Sequence, residues 1–128
     1  MIRVKLTSVM VNDQDKARRF YTEMLGFQIR HDIPMGGAAW LTIVAPDDPD
    51  GVELLLEPTG HPASAVFQKA LYSDGIPLTQ LYTADIVAEY ERLKEKGVVF
   101  REPPKPIGPT RFCDFDDTCG NFIRLVEG

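Results

Sequence analysis

At 128 residues and 14.3 kDa, the chain has the length of one domain, and it is long enough to bury about two thirds of its unfolded surface. Its 44% hydrophobic and 26% charged residues are typical of a soluble globular protein and exclude a disordered one. A net charge of -5 excludes a global basic surface for nucleic acid, and no apolar run is long enough to cross a membrane. The opening MIRVKLTSV is too short and too interrupted for a signal peptide, so we expect a cytoplasmic location.

The first ordered elements are a strand over residues 2–11 and a helix ending at Gly26. Asn12 or Asp13 supplies the side-chain oxygen that caps the helix, and the glycine supplies the left-handed residue that ends it. Apolar residues then recur at helical spacing on one stripe: Ala17, Phe20, Tyr21 and Met24. We predict that this stripe packs on the strand.

Three further strands complete the first half of the chain. The extended segment FQIRHDI leads into the turn 34–37, and AAWLTIVA and VELLLE follow. A connector then contains Pro62, which can start a short helix. We predict that this helix turns its apolar residues inward: Val66, Phe67, Ala70 and Leu71.

The second half of the sequence repeats the first. A shift of 72 residues places Leu78 on Leu6 and Asp85 on Asp13, and the second helix has its own stripe of Ile86, Tyr90 and Leu93. Strands VVFR, TRFCDF and FIRLVEG follow, with EPPKPIGP as a loop. We predict an α+β fold in one domain, 1–128, with a βαβββ module at 1–57, a connector at 58–77 and a second βαβββ module at 78–128.

The modules are predicted to form curved mixed sheets, each covered outside by its helix, around a shared cavity for a small ligand. Alternation along the first strand of each module sends one set of side chains toward that cavity. These residues are Leu6, Ser8 and Met10 in the first module and Leu78, Gln80 and Tyr82 in the second.

The segments VMVNDQDKARRFYTEMLGF, VELLLEP, ADIVAEYERLKEKGV and DDTCGNFIRLVE, in this order, resemble the vicinal oxygen chelate superfamily. This superfamily includes glyoxalase I, bleomycin-resistance proteins and extradiol dioxygenases. The resemblance spans nearly the whole chain and implies the two-module fold. It does not select an activity, because the superfamily hosts lyases, dioxygenases, thiol transferases and drug-binding proteins.

Glyoxalase-like members bind one metal ion through side chains at four positions, and only one of these positions has a metal-binding side chain here. The resemblance places Leu6, Glu53, Leu78 and Arg124 at these positions. Leucine has no lone pair, and a guanidinium repels a dication. We therefore expect no metal and no other cofactor. Cys113 and Cys119 are expected to be free thiols, and nearby carboxylates argue against a catalytic cysteine.

Glu53 and Arg124 are predicted to converge in this fold as an ion pair that replaces the metal. Two roles for the pair stay open, because Arg124 can anchor an anionic ligand or the pair can merely close the barrel. We name Glu53, Arg124, Gln80, Tyr82 and Trp40 as candidate ligand-binding residues, with Glu53 the one candidate for catalysis. His31 is expected to face solvent.

The leading hypothesis is a metal-independent protein that binds a small aromatic or anionic molecule, and the resemblance implies a homodimer. One alternative is a metal-dependent enzyme, either a glyoxalase (lactoylglutathione lyase) or a dioxygenase. Another is a non-catalytic partner-binding domain with a vestigial pocket.

Overall fold

The computed structural model describes all 128 residues, which form two compact units, Met1–Ala65 and Val66–Gly128. Each unit is built on a four-stranded mixed sheet with one parallel pair of strands. The α+β class and the repeated module predicted from the sequence are confirmed. None of the three helices has the length and apolar character needed to cross a bilayer.

The first unit has the strand order β1-β4-β3-β2, with β1 and β4 parallel and the other pairs antiparallel. Its elements are β1 (Leu6–Val11), α1 (Gln14–Arg19) with a π-helical continuation (Phe20–Met24), β2 (Gln28–Pro34), β3 (Ala39–Val44) and β4 (Glu53–Pro58). Strand β1 is shorter than the predicted 2–11, and of the first five residues Lys5 bonds to β4, its carbonyl accepting from the Glu53 N–H at 2.9 Å.

Helix α1 begins and ends as its sequence predicts. Of the two candidate caps, Asp13 is the one used, and its Oδ1 accepts a hydrogen bond from the Lys16 backbone N–H at 3.0 Å. Gly26 ends the helix with a φ of +88°. Ala17, Phe20 and Tyr21 are buried as predicted, and α1 packs on β3 and β4.

The second unit repeats this plan with the order β5-β8-β7-β6. Its elements are β5 (Thr79–Thr83), α3 (Ile86–Glu95), β6 (Lys105–Ile107), β7 (Thr110–Asp116) and β8 (Phe122–Glu127), while α2 (Pro62–Ser73) spans the boundary between the units. Asp85 caps α3 through the Ala88 N–H at 3.1 Å, and Glu127 Oε2 accepts from the Ile86 N–H at 3.0 Å.

One predicted strand of the second half is displaced. The segment VVFR contributes only an isolated pairing of Phe100 with Phe115, and the short β6 lies inside the segment that was expected to be a loop. Because β6 is the edge strand of its sheet, it tolerates Pro106, which cannot donate a hydrogen bond on that side.

Helix α2 turns a different face inward from the one predicted. Val66 and Phe67 are 69% and 52% exposed, whereas Gln68 is buried. The Gln68 amide donates to the Cys119 carbonyl and to Asn121 Oδ1, both at 3.1 Å. These polar contacts orient the helix, and a prediction from hydrophobic periodicity alone was therefore wrong here.

In each sheet we call the face that packs on α1 or α3 the covered face and the opposite one the open face. Val9, Leu54 and Leu56 point to the covered face of the first sheet and are buried. Leu6 lies directly opposite Glu53 on the open face, and in the second sheet Gln80 lies directly opposite Arg124. The candidate residues named from the sequence therefore belong to open sheet faces.

Candidate functional site

The open face of the first sheet carries a cluster of three polar side chains around Glu53. One carboxylate oxygen, Oε1, accepts a hydrogen bond from Thr42 Oγ1 at 2.7 Å and lies 3.0 Å from His31 Nδ1. Thr42 is fully buried, while the Glu53 side chain is 22% exposed and that of His31 is 43% exposed. Strand pairing explains the cluster. Thr42 of β3 lies opposite His31 of β2 on one side and opposite Leu55 of β4 on the other. Glu53 is two residues from Leu55 and therefore lies on the same face of the sheet.

These contacts favour the ionised form of Glu53. The hydrogen bond from Thr42, helped by His31 and Arg30, lowers the pKa of the carboxyl although partial burial acts in the opposite direction. A carboxylate only accepts hydrogen bonds, so His31 Nδ1 is the donor in this contact. In the neutral imidazole, His31 Nε2 is then an acceptor for a ligand's N–H or O–H.

The open face of the second sheet carries Arg124 in a fixed geometry. Its Nε and Nη2 donate to the two oxygens of Asp114 at 2.8 and 3.0 Å, and its Cζ lies 4.1 Å from the centroid of the Phe112 ring. Asp114 is buried. The bidentate pair and the ring hold the guanidinium in place.

Gln80 and Tyr82 lie on the neighbouring strand β5, on the same face of the sheet as Arg124. Gln80 lies opposite Arg124, and its Nε2 donates to the Tyr82 hydroxyl at 3.1 Å. Tyr82 is 64% exposed, which leaves most of its ring available. The structure thus places Gln80, Tyr82 and Arg124 on one surface, and it places Glu53 and Trp40 together on the first sheet.

The structure gives Glu53 and Arg124 a partner each within their own units. The predicted ion pair rested on the argument that a partly buried charge needs a partner. Thr42 and His31 fill that need for Glu53, and Asp114 fills it for Arg124. The Glu53–Arg124 ion pair therefore stays a prediction, but neither charge needs the other as a partner.

Three residues of these clusters were missed in the sequence. His31 was expected to face solvent, and although its side chain is half-exposed it also contacts Glu53. Asp114 was not singled out, and Thr42 was read only as part of a strand. The register of the paired strands brings all three residues to their partners. In β2 a β-bulge between Ile29 and His31 shifts this register, so alternation along the strand does not give the side on which His31 lies.

A cavity of about 330 Å³ opens in the second unit beside Arg124. Cationic and acidic side chains from the loop after α3 and from β6, β7 and β8 line it: Arg101, Glu102, Lys105, Asp114 and Arg124, with Phe112 as the aromatic wall. Arg101 and Lys105 were not among the candidate residues, because they lie in or beside the proline-rich segment that was expected to be a loop.

The residues at the four glyoxalase-like ligand positions do not fit a metal centre. Leu6 and Leu78 offer no donor atom, and Arg124 is a cation already paired with Asp114. His31 adds one donor near Glu53, but no group of three or more His, Cys, Asp or Glu side chains stands together anywhere in the chain. No step of a reaction is therefore assigned to a metal.

The two cysteines are free, as expected from the sequence, and both are buried. Burial, together with the negative charge of Asp114, raises the pKa of the Cys113 thiol to about 11. A thiol with this pKa is almost entirely protonated at neutral pH. Cys113 is therefore a poor nucleophile.

With this fold and these open faces, the chain belongs to the Glyoxalase/Bleomycin resistance protein/Dioxygenase superfamily, whose family model matches residues 3–125. It is similar to the uncharacterized protein YurT of Bacillus subtilis, with 52% identity over 98% of this chain and 99% of YurT.

Two crystal structures are also similar along the full length. UcmS2 matches with a TM-score of 0.85 and 33% identity, covering 100% of this chain and 99% of UcmS2. TnmS3, an antibiotic binding protein from Streptomyces sp. CB03234, matches with a TM-score of 0.77 and 34% identity, covering 99% of this chain and 96% of TnmS3.

Proposed function

We propose that this protein binds a small aromatic or anionic molecule on its open sheet faces and that it does so without a metal ion. The observation that carries the proposal is that residues unable to bind a metal ion stand on those faces, at positions where metal-dependent members of the family have metal ligands. Leu6 stands directly opposite Glu53, and Arg124, a permanent cation, occupies another ligand position of the family. Such a surface suits an organic ligand better than a dication.

Exposed aromatic side chains supply the contact area for a flat ligand. Trp40 is 36% exposed and lies on the same face as Thr42 and Glu53, and Tyr82 is 64% exposed beside Gln80. His31 Nε2 on the first sheet can fix the orientation of a ligand bound there, and the Tyr82 hydroxyl can do so on the second sheet. The similarity to an antibiotic binding protein supports this class of function.

The test uses the single tryptophan as a reporter. Titration with 2-naphthoate and with a panel of aromatic drugs should quench Trp40 fluorescence saturably, with the same midpoint in buffer and in buffer with EDTA. For a ligand that stacks on Tyr82 of the second unit, calorimetry should show an affinity weaker by about 1 kcal/mol in the variant Tyr82→Leu. No saturable quenching by any compound of the panel, or a midpoint that depends on chelator, would count against the proposal.

A metal-dependent enzyme of the glyoxalase or dioxygenase type is the second candidate. The observation that favours it is the proximity of two donor side chains, His31 and Glu53, at 3.0 Å. One tightly bound metal ion per chain and turnover that is lost on chelation would establish this candidate instead.

A homodimer is also part of the proposal, and the exposed side of α2 supports it. Val66 and Phe67 expose 69% and 52% of their surface on this helix. Light scattering coupled to size exclusion should give about twice the mass of 14.3 kDa, and the double variant Val66→Ser, Phe67→Ser should shift it toward the monomer. A monomeric wild type would refute this part.

A further inference from the structure

A rigid arginine side chain lines the cavity of the second unit. Arg101 Nη1 donates to the Gly75 carbonyl at 2.7 Å, and its Cζ lies 4.7 Å from the centroid of the Phe122 ring. Phe122 is stacked in turn on Tyr72, with the ring centroids 4.5 Å apart and an angle of 5° between the planes. The contact with the Phe122 ring and the hydrogen bond to Gly75 together limit the rotamers available to Arg101.

Gly75 makes this placement possible. Its φ is +69°, and a Cβ at this position would lie 2.7 Å from both Nη1 and Nη2 of Arg101. The absence of a side chain therefore allows the guanidinium to lie against the backbone at the end of α2. The backbone at Gly75 thus holds the Arg101 guanidinium in place without a ligand.

Arg101 is the cation of this cavity that lacks a carboxylate partner. Arg124 forms its bidentate pair with Asp114, and Lys105 forms an ion pair with Glu102. The only hydrogen bond of the Arg101 side chain goes to the Gly75 backbone, so Nη2 and Nε are not used within the protein. Three cations and two carboxylates line the cavity, which leaves it one positive charge in excess.

We propose that this cavity binds the oxyanion group of a small ligand, a carboxylate or a phosphate, and that Arg101 is its anchor. A planar guanidinium with unused donors matches both groups through paired hydrogen bonds. A cavity volume of about 330 Å³ is at the low end for ligand sites and suits a small acid. This inference rests on the proposed function and assigns its anionic ligand to one site. Arg124, which the sequence suggested as the anchor, is a lesser contributor because Asp114 neutralises it.

The experiment is a titration of the full chain with benzoate, inorganic phosphate and benzyl alcohol, followed by calorimetry and by the amide and arginine Nε signals in nitrogen-15 NMR spectra. At least one of the two anions should bind and shift the Arg101 Nε signal, and the neutral alcohol should not. Arg101→Gln should weaken the affinity for that anion tenfold or more, and Arg101→Lys should retain part of it. The preferred anion distinguishes a carboxylate site from a phosphate site.

Arg3→Gln is the matched control, because it makes the same change of charge at an exposed residue of the first unit. It should leave the affinity unchanged, and an unaltered amide spectrum should establish that each variant is folded. Equal affinities of Arg101→Gln and wild type, or no binding of either anion, would overturn the inference. Saturable quenching of Trp40 is a separate test of the proposed function, so quenching that persists while Arg101→Gln binds the anions as wild type does would overturn this inference alone.

Discussion

The partner of Arg124 is the point at which the structure departs most from expectation, and a double-mutant cycle tests it. The cycle combines Arg124→Gln with Asp114→Asn, which remove the charges but keep similar shapes. Unfolding in urea, followed by circular dichroism, gives the free energy of unfolding of each variant. We expect either single change to destabilise the protein, because each leaves a partly buried charge without its partner.

The geometry sets the size of the coupling. Two charge-assisted hydrogen bonds of 2.8 and 3.0 Å join the groups, and the side chains are 25% and 9% exposed. Opposite unit charges 4 Å apart attract by about 4 kcal/mol at an effective dielectric constant of 20. Since desolvation offsets part of this attraction, we expect a coupling energy of about 1.5 to 3 kcal/mol.

An exposed pair in the same protein provides the control. Arg92 and Glu89 are 45% and 34% exposed on α3, and their cycle should give about 0.3 to 0.5 kcal/mol. A third cycle pairs Arg124→Gln with Glu53→Gln. A coupling below about 0.5 kcal/mol for Arg124 with Asp114, together with a large one for Arg124 with Glu53, would refute our reasoning and restore the ion pair predicted from the sequence.

Three further outcomes are expected. Gln68→Leu should destabilise the protein by about 1 to 3 kcal/mol in urea unfolding, because the Cys119 carbonyl and Asn121 Oδ1 lose a buried donor; a cost below about 0.5 kcal/mol would contradict this. Hydrogen bonds from the Ile86 N–H and from Arg111 lower the pKa of Glu127 from its ordinary value of 4.5. The ionised Glu127 therefore stabilises the folded protein fully above pH 4.5, and this stabilisation is lost as the pH falls through the lower pKa of the folded state. The melting temperature of Glu127→Gln should accordingly be lower than that of wild type at pH 7, with the difference vanishing in acid; a difference independent of pH would exclude this cause. Cys113, with a pKa of about 11, should react with a thiol reagent at pH 8 only after denaturant is added, and rapid labelling of the native protein would show that the thiol is accessible.

The sequence contained enough information for the repeated module and its first helix. Asp13 and Gly26 are local signals, since a cap oxygen and a left-handed glycine act within a few residues of themselves. The spacing of Ala17, Phe20 and Tyr21 fixed the buried face because only one side of that helix is apolar.

Long-range polar contacts were beyond such local signals. Gln68 orients α2 through atoms more than 50 residues away in the chain, and this overrides the apolar residues Val66 and Phe67. The partners of the candidate site depend on register in the same way. Asp114 reaches Arg124 because β7 and β8 pair at those residues, and His31 of the bulged strand β2 reaches Glu53 of β4 across β3. Register of this kind cannot be read from one sequence.

The central claim is that ligand binding here needs no metal, and the metal content of the purified protein tests it most directly. Protein prepared without chelator, and judged folded by its amide spectrum, should contain less than about a tenth of an equivalent of Zn, Ni, Fe and Mn together per chain by elemental analysis. About one equivalent of any of these metals, bound through Glu53 and lost in Glu53→Gln, would contradict the account.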